Sequence, residues 1–533
     1  MKSPTSFKPH GGVRGADLSR SSLLFDGPFG RMFRAVPPAD FGATDDDSLK
    51  NLTKLASKMI SAPDPAKDGP DPEESGIPSA FTYFGQFIDH DLTFDPASSL
   101  QKQNDPDALI DYRTPKFDLD NVYGRGPDDQ PYMYERPEGA ASERFVLGTV
   151  MTGAPQVNSG AHDLQRNAQT PARALIGDPR NDENVIVGQF QGLFHRLHNR
   201  VADDNPKWSF AKVQQSVRFH YQWVLLHDFL PTLISSNVLN DLLPKAGDGS
   251  LIVDKKNIHF FHTKNEAFMP LEFSAAAYRF GHSMIRPGYR LNDDDKTLLP
   301  IFGGNEHHHD LRGFKAPLEG WAIDWRRFID LVPLAYGGPI DNPDPTIPGN
   351  KQRLQLAYRI DTSLTNPLHK LPESIAINPS SLALRNLERG WRMRLPSGQD
   401  VARAMGVKPL TPDKLVLGKF TGAKDDTDAF IRIDSLAGGV FEDNCPLWTY
   451  VLSETLQHME DVPLRSTDGP KTISTPKLGD VGGRIVGETF IGLLLTDSSS
   501  YVSLDPLWTP KYIQKGQFGL RELIAAALGF TIA

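Results

Sequence analysis

SAFTYFGQFIDHDLTFD, residues 79–95, is the stretch from which the rest of this chain is read. Phe84, Phe87, Ile88 and Asp91 recur at helical spacing, and Gln86 and His90, four residues apart, share one face of that helix. The segment therefore buries aromatic bulk while aligning an amide with an imidazole. Taken alone, His90 between Asp89 and Asp91 fits a satisfied core histidine as well as an acid-base group. The remainder of the chain decides between them.

Downstream, IGDPRNDENVIVGQFQGLFHRLHNRVADDN (176–205) carries an apolar stripe of Val187, Phe190, Phe194, Leu197 and Val201. Asn181, Asp182 and Glu183 stand at the expected helix start, which puts Arg180 just outside it. A long helix is expected from about Phe210 to Ile234. In PLEFSAAAYRFGHSMIRP (270–287), Phe273, Ala276, Ala277, Phe280 and Met284 form a buried stripe and leave Tyr278, Arg279 and His282 on another face. Another helix is expected after a loop at Asn386, and a buried one near 482–495. Residues 1 to about 75, rich in Gly, Pro, Ser and Asp, read as an arm wrapping a body of residues 76–533.

Composition sets the outer limits. The 533 residues, with 45 Gly, 43 Pro and 30 Phe, suit one large, mainly α-helical domain with long ordered loops and little β structure. A formal net charge of -9 argues against a nucleic-acid surface and for a small diffusible substrate. With Cys445 alone, no intrachain disulfide forms. No apolar run approaches the 18 residues of a membrane span, and the N-terminus lacks the apolar region of a conventional signal peptide. A soluble protein is expected, either cytoplasmic or exported by another route.

The run GQFIDHDLTF resembles the distal helix of the animal-type haem peroxidases, the peroxidase-cyclooxygenase superfamily, and four further resemblances follow in order, with a bacterial-like character overall. The resemblance implies haem b, with His90 as acid and base and Gln86 beside it positioned to hold a water or a halide. YRFGHSMIRP is similar to the proximal helix and implies His282 as iron ligand, with Arg279 reaching a propionate. LALRNLERGWRMRLPSG implies Asn386 as hydrogen-bond acceptor behind His282 and Arg389 as a second propionate partner. GDPRNDEN resembles the catalytic-arginine loop and implies Arg180 as distal arginine. In isolation Arg180 reads better as a helix-start arginine paired with Asp178 or Asp182. Asp89 and Glu183 match carboxylates that become esterified to haem in some members. Asn184 stands where one branch has a methionine, which speaks against chloride oxidation.

RTPKFDLDNVYG (113–124) resembles the family's calcium loop and implies Thr114, Asp118 and Asp120, the Lys116 carbonyl and Asp91 as oxygen ligands. The implied reaction is reduction of hydrogen peroxide with oxidation of a small donor such as a halide, thiocyanate or phenol. Two rivals stay open, a fatty-acid dioxygenase of the same superfamily and an inert haem-binding protein. The oxygenases carry a tyrosine three residues before the proximal histidine, where this chain has Arg279. His307, His308 and His309 read as solvated, His195 and His198 as packing residues, and Cys445 as a small buried hydrophobe.

Overall fold

The computed structural model describes residues 27–61, 71–94, 110–111, 113–263, 266–294, 298–303, 309–336, 353–373, 375–376, 378–423, 426 and 430–533. The first 26 residues of the expected arm, together with His307 and His308, lie outside this set. Eight described helices reach eight residues or more: α1 (Asp45–Ala56), α2 (Ala80–Leu92), α3 (Val185–Asp204), α4 (Phe210–Val224), α5 (Leu382–Arg392), α6 (Leu447–Glu454), α7 (Asp480–Thr496) and α8 (Leu520–Leu528). Among the described residues, β structure is one three-stranded sheet and six two-stranded pairs, so the protein is mainly helical as expected.

Helix α1 starts where the Thr44 hydroxyl accepts from the Asp47 amide, and three aspartates in its first turn face the positive end of the helix dipole. Its buried Leu52 and Leu55 join the main core and pack it on α5, so this part of the N-terminal stretch belongs to the body. Helices α2 and α3 are joined by aromatic contacts. Phe87 stacks on Phe194 with ring centroids 4.6 Å apart, and Phe84 lies 6.2 Å from Phe190, which in turn meets Trp325 edge-on.

Strand β1 (Glu74–Pro78) runs directly into α2 and pairs antiparallel with β2 (Leu356–Tyr358). Fully buried Glu74 receives the Arg353 guanidinium through two bonds of 2.7 Å and Arg286 through one of 2.5 Å. Arg286 lies four residues beyond His282. One buried carboxylate therefore ties the root of α2 to the His282 segment.

Three details depart from expectation. The 270–287 stretch is not one helix: a four-residue turn (Leu271–Ser274) gives way to a tight 3-10 segment (Ala277–His282) because Ala276 leaves helical dihedrals, at φ -136° and ψ -77°. Tyr278 stacks against Phe273, with ring centroids 4.6 Å apart, while still lining the cavity that His282 lines. The start of α3 also lies later than expected. Residues 179–182 form a separate 3-10 turn, and Asn184 caps α3 by accepting from the Ile186 amide. Third, Asn386 lies inside α5, which begins at Leu382. The expected 210–234 helix is met by α4, a wide π turn over Leu225–Phe229 and a last turn ending at Leu233.

Candidate active site

A cavity of about 970 Å³ lies between α2, the α3 entry and the 3-10 segment that ends at His282. Its walls include Gln86, Asp89, His90, Arg180, Glu183, Arg279, His282 and Arg389, so eight of the nine residues expected in haem binding or catalysis meet in one space. The ninth, Asn386, sits behind the wall and contacts both His282 and Arg279.

His90 is 4% exposed, and its Nδ1 lies 2.7 Å from Asn181 Oδ1. An amide oxygen only accepts, so Nδ1 carries a proton, and it is Nε2 that holds the lone pair in the neutral ring. Asn181 is itself oriented. Its amide nitrogen donates to Gln191 Oε1 at 2.9 Å, and Gln191 Nε2 donates to His195 Nε2 at 2.9 Å. Burial, with a smaller effect of His198, lowers His195 to about 3, so it stands as a neutral acceptor at the end of this chain. The sequence reading took Asn181 as a helix-start residue and did not single out Gln191. The i, i+4 spacing of Gln191 and His195 is a signal that one polar face of α3 points at something buried.

Gln86 shares the His90 face, yet its Nε2 donates to Glu183 Oε1 at 2.5 Å rather than standing open. Glu183 Oε1 is also 3.6 Å from His90 Nε2. Arg180 does pair with Asp178, through Nε and Nη2, and Nη2 donates to the carbonyls of His90 and Thr93. Its Nη1 has no partner among the described residues, while the side chain lines the cavity. Burial opposes ionisation of Asp178, but Arg180 and Arg113 outweigh it and hold the carboxyl well below its usual range. The arginine is thus anchored at one edge.

Asn386 Nδ2 lies 2.8 Å from His282 Nδ1, and Asn386 Oδ1 accepts from Arg279 Nη1 at 3.0 Å, so the amide presents its nitrogen to the imidazole rather than the expected acceptor oxygen. Burial and then the Arg279 charge lower His282 to about 3, which keeps its imidazole neutral. Burial, followed by repulsion from Arg389, lowers Arg279 to about 10, with Arg385 adding to the repulsion and Asp89 opposing it. Arginines crowded against a cavity wall favour an anion there.

Next to His90, Asp91 points the other way. Both of its carboxylate oxygens are buried without a hydrogen-bond partner, and its ligand atoms lie within 4.8 Å of those of Asp118 and Asp120. Burial, then Asp118 and Asp120, push Asp91 well above its usual range. The Thr114 hydroxyl donates to Asp118 at 2.8 Å, and the Lys116 ammonium swings away to Asp497. Arg113, which the sequence reading passed over, places Nη1 3.2 Å from Asp120. Three converging carboxylates with orphaned oxygens suit a hard cation.

Residues 99–307 match the family model described as animal haem peroxidase. Over 189 residues the chain is 33% identical to a dual oxidase of Drosophila melanogaster, a match covering 31% of this chain and 11% of that protein. The chain thus spans about a tenth of that relative's length. Among solved structures it is similar to Peroxidase A of Dictyostelium discoideum, with a TM-score of 0.53 and 16% identity over 90% of this chain and 89% of that one. It is similar also to a fatty acid alpha-dioxygenase of Arabidopsis thaliana, with a TM-score of 0.51 and 14% identity over 94% and 76% of the two chains. These two likenesses establish the fold. No described helix is long and apolar enough to cross a membrane.

Proposed function

The chain belongs to the animal haem peroxidase family, and from that premise we propose that residues 76–533 form a haem-dependent peroxidase that reduces hydrogen peroxide and oxidises a small donor. One observation carries the reading: His90, with its Nδ1 proton held by Asn181, lines the same cavity as Arg180 and an Asn386-backed His282. The residues fit a haem. His282 would hold the iron through a neutral imidazole, Arg279 and Arg389 would be cationic partners for two propionates, and Asp89 and Glu183 stand on the cavity wall as candidates for ester links. When bound, the haem supplies the iron that accepts electrons from the donor and passes them to peroxide.

The residues of the chain manage the protons. His90 Nε2 takes one proton from hydrogen peroxide and returns it to the departing oxygen, which leaves as water. Arg180 stabilises negative charge on that oxygen through the donor that Asp178 leaves unclaimed. Gln86 holds the Glu183 carboxylate beside His90 and thereby shapes the polar end of the cavity. Asp91, Asp118, Asp120, Thr114 and the Lys116 carbonyl would hold calcium, which neutralises buried charge and fixes the helix end that carries His90. Oxygenase chemistry is the weaker reading, because Tyr278 commits its hydroxyl to the Gly85 carbonyl at 3.1 Å and Arg279 stands where such enzymes have tyrosine.

The test is peroxide-dependent oxidation of iodide, thiocyanate and a phenol by haem-loaded protein, with oxygen uptake on a polyunsaturated fatty acid in parallel. Donor oxidation without oxygen uptake is expected. A haem-loaded sample inert to every donor in the presence of peroxide overturns the reading.

A further inference from the structure

The cavity opens between two loops hung from one residue, Asp182. Its carbonyl accepts from the Phe314 amide at 2.5 Å, and its carboxylate accepts from the Ala174 amide at 3.3 Å while Arg166 grips it through two nitrogens at 2.7 and 2.8 Å. A Cβ on Gly313 would lie 1.9 Å from the Asp182 carbonyl oxygen, so only glycine allows the close approach that seats the second loop. Phe314 then follows in the left-handed region, at φ +55°, which is costly for a bulky side chain, and it is 38% exposed, so burial does not offset that cost. On the other loop, the exposed Arg173 is fixed by its own backbone, which pairs with Asn167 in both directions at 3.0 Å.

Arg173 lays its guanidinium over the Phe314 ring at 5.0 Å. No described residue accepts a hydrogen bond from that guanidinium. A stacked arginine keeps its in-plane edge of N–H groups open, which matches the two oxygens of a carboxylate, and the adjoining aromatic surface suits a planar ring. Arg173 and Phe314 both line the cavity, together with Arg312 and Lys315. Arg312 is buried and paired with Asp310 at 2.6 Å, so the charge offered to an anion at this part of the wall is that of Arg173.

We propose that Arg173 and Phe314 form a docking subsite for an aromatic carboxylate, a phenol bearing a carboxylate group, as electron donor; this rests on the peroxidase reading above. Each hydrogen peroxide takes two electrons and two protons from two phenol molecules and gives two waters and two phenoxyl radicals. The carboxylate is unchanged and serves only to hold the donor.

The experiment compares 4-hydroxybenzoate with neutral 4-hydroxybenzamide in haem-loaded full-length protein, with iodide as a donor too small to need the subsite. Benzoate binding is measured by calorimetry without peroxide. The KM for 4-hydroxybenzoate is expected below that for the amide, with the gap closing at high salt. Arg173→Gln is expected to raise the 4-hydroxybenzoate KM and the benzoate Kd about fivefold, with kcat moving less than KM. Phe314→Leu is expected to weaken both aromatic donors. Equal KM values for the two phenols, or an Arg173→Gln effect of the same size on both, overturns the subsite while iodide oxidation still supports the peroxidase reading. Palmitate binding tighter than benzoate and dependent on Arg173 also overturns it, in favour of a fatty-acid mouth. If iodide and both phenols fail, the peroxidase reading falls, and benzoate calorimetry on wild type and Arg173→Gln still decides the subsite.

Discussion

The amide nitrogen of Asn386 lies 2.8 Å from Nδ1 of His282, and it faces that way because the amide oxygen is taken by Arg279. Arginine only donates, so it claims the oxygen and leaves Nδ1 as an acceptor, which puts the proton of neutral His282 on Nε2. Iron ligation through Nε2 needs the reverse. An anion that draws Arg279 away frees Asn386 to turn its oxygen towards Nδ1. Asn386→Leu is therefore expected to weaken haem binding by about tenfold or more in an absorbance titration. Asn386→Asp, with an oxygen for each neighbour, is expected to keep haem and lower its reduction potential. Unchanged haem affinity in Asn386→Leu removes Asn386 from the ligand's support.

A second expectation concerns the polar chain from His195 through Gln191 and Asn181 to His90. Asn181→Leu takes away the acceptor that holds the Nδ1 proton and strands the Gln191 amide. The second-order rate with peroxide is expected to fall by about 100-fold, within the range general acid-base catalysis contributes. Asn181→Asp restores an acceptor and is expected to recover most of the loss. Stopped-flow mixing of haem-loaded variants with peroxide reads this. An aspartate variant as slow as the leucine variant would mean that Asn181 acts through packing.

Asp91 makes the case for a cation testable without turnover. Its two buried oxygens lack partners, and Asp118 and Asp120 converge on it. Calcium at a hundredfold excess over its Kd should stabilise the chain by about 2.7 kcal/mol, seen as a higher Tm that EGTA reverses. Asp91→Asn should lose most of this calcium response. Magnesium, which demands a tighter octahedral shell, should give less. A calcium-insensitive wild-type Tm would assign the three carboxylates another role.

The sequence makes α2, α3 and α7 legible because their apolar residues recur at helical spacing and no proline interrupts them, although each helix carries glycine. It makes the site legible where chemistry is concentrated in a few motifs, which is why His90, Arg180, Arg279 and His282 meet in one cavity. What stays hidden are partners far apart in the chain. Asn181 and His90 are 91 positions apart, and Glu74 is 212 from Arg286. Spacing rules describe one element at a time and say nothing of such pairs. The break at Ala276 is hidden for a related reason: the same five residues are buried whether the segment is one helix or two turns, so the pattern of burial does not discriminate.

The last expectation is a pH dependence carried by Glu454. This buried carboxylate at the end of α6 accepts from the Val481 amide at 2.9 Å and the Gly482 amide at 3.0 Å, at the start of α7. Burial raises it from its ordinary value to about 7, against the pull of those two amides and with a small contribution from Asp480. The folded state thus holds a proton that the unfolded chain gives up at a lower pH. The stabilising contribution is fully present below about 4.5 and is lost as pH rises through 7, on the order of 3 kcal/mol in all. Glu454→Gln keeps the shape and an acceptor oxygen but cannot titrate. Urea unfolding of wild type and variant from pH 5 to 8 should show wild type losing stability relative to Glu454→Gln across that window. A constant difference would mean that Glu454 is ionised in the fold throughout, with the two amides and the dipole of α7 outweighing burial.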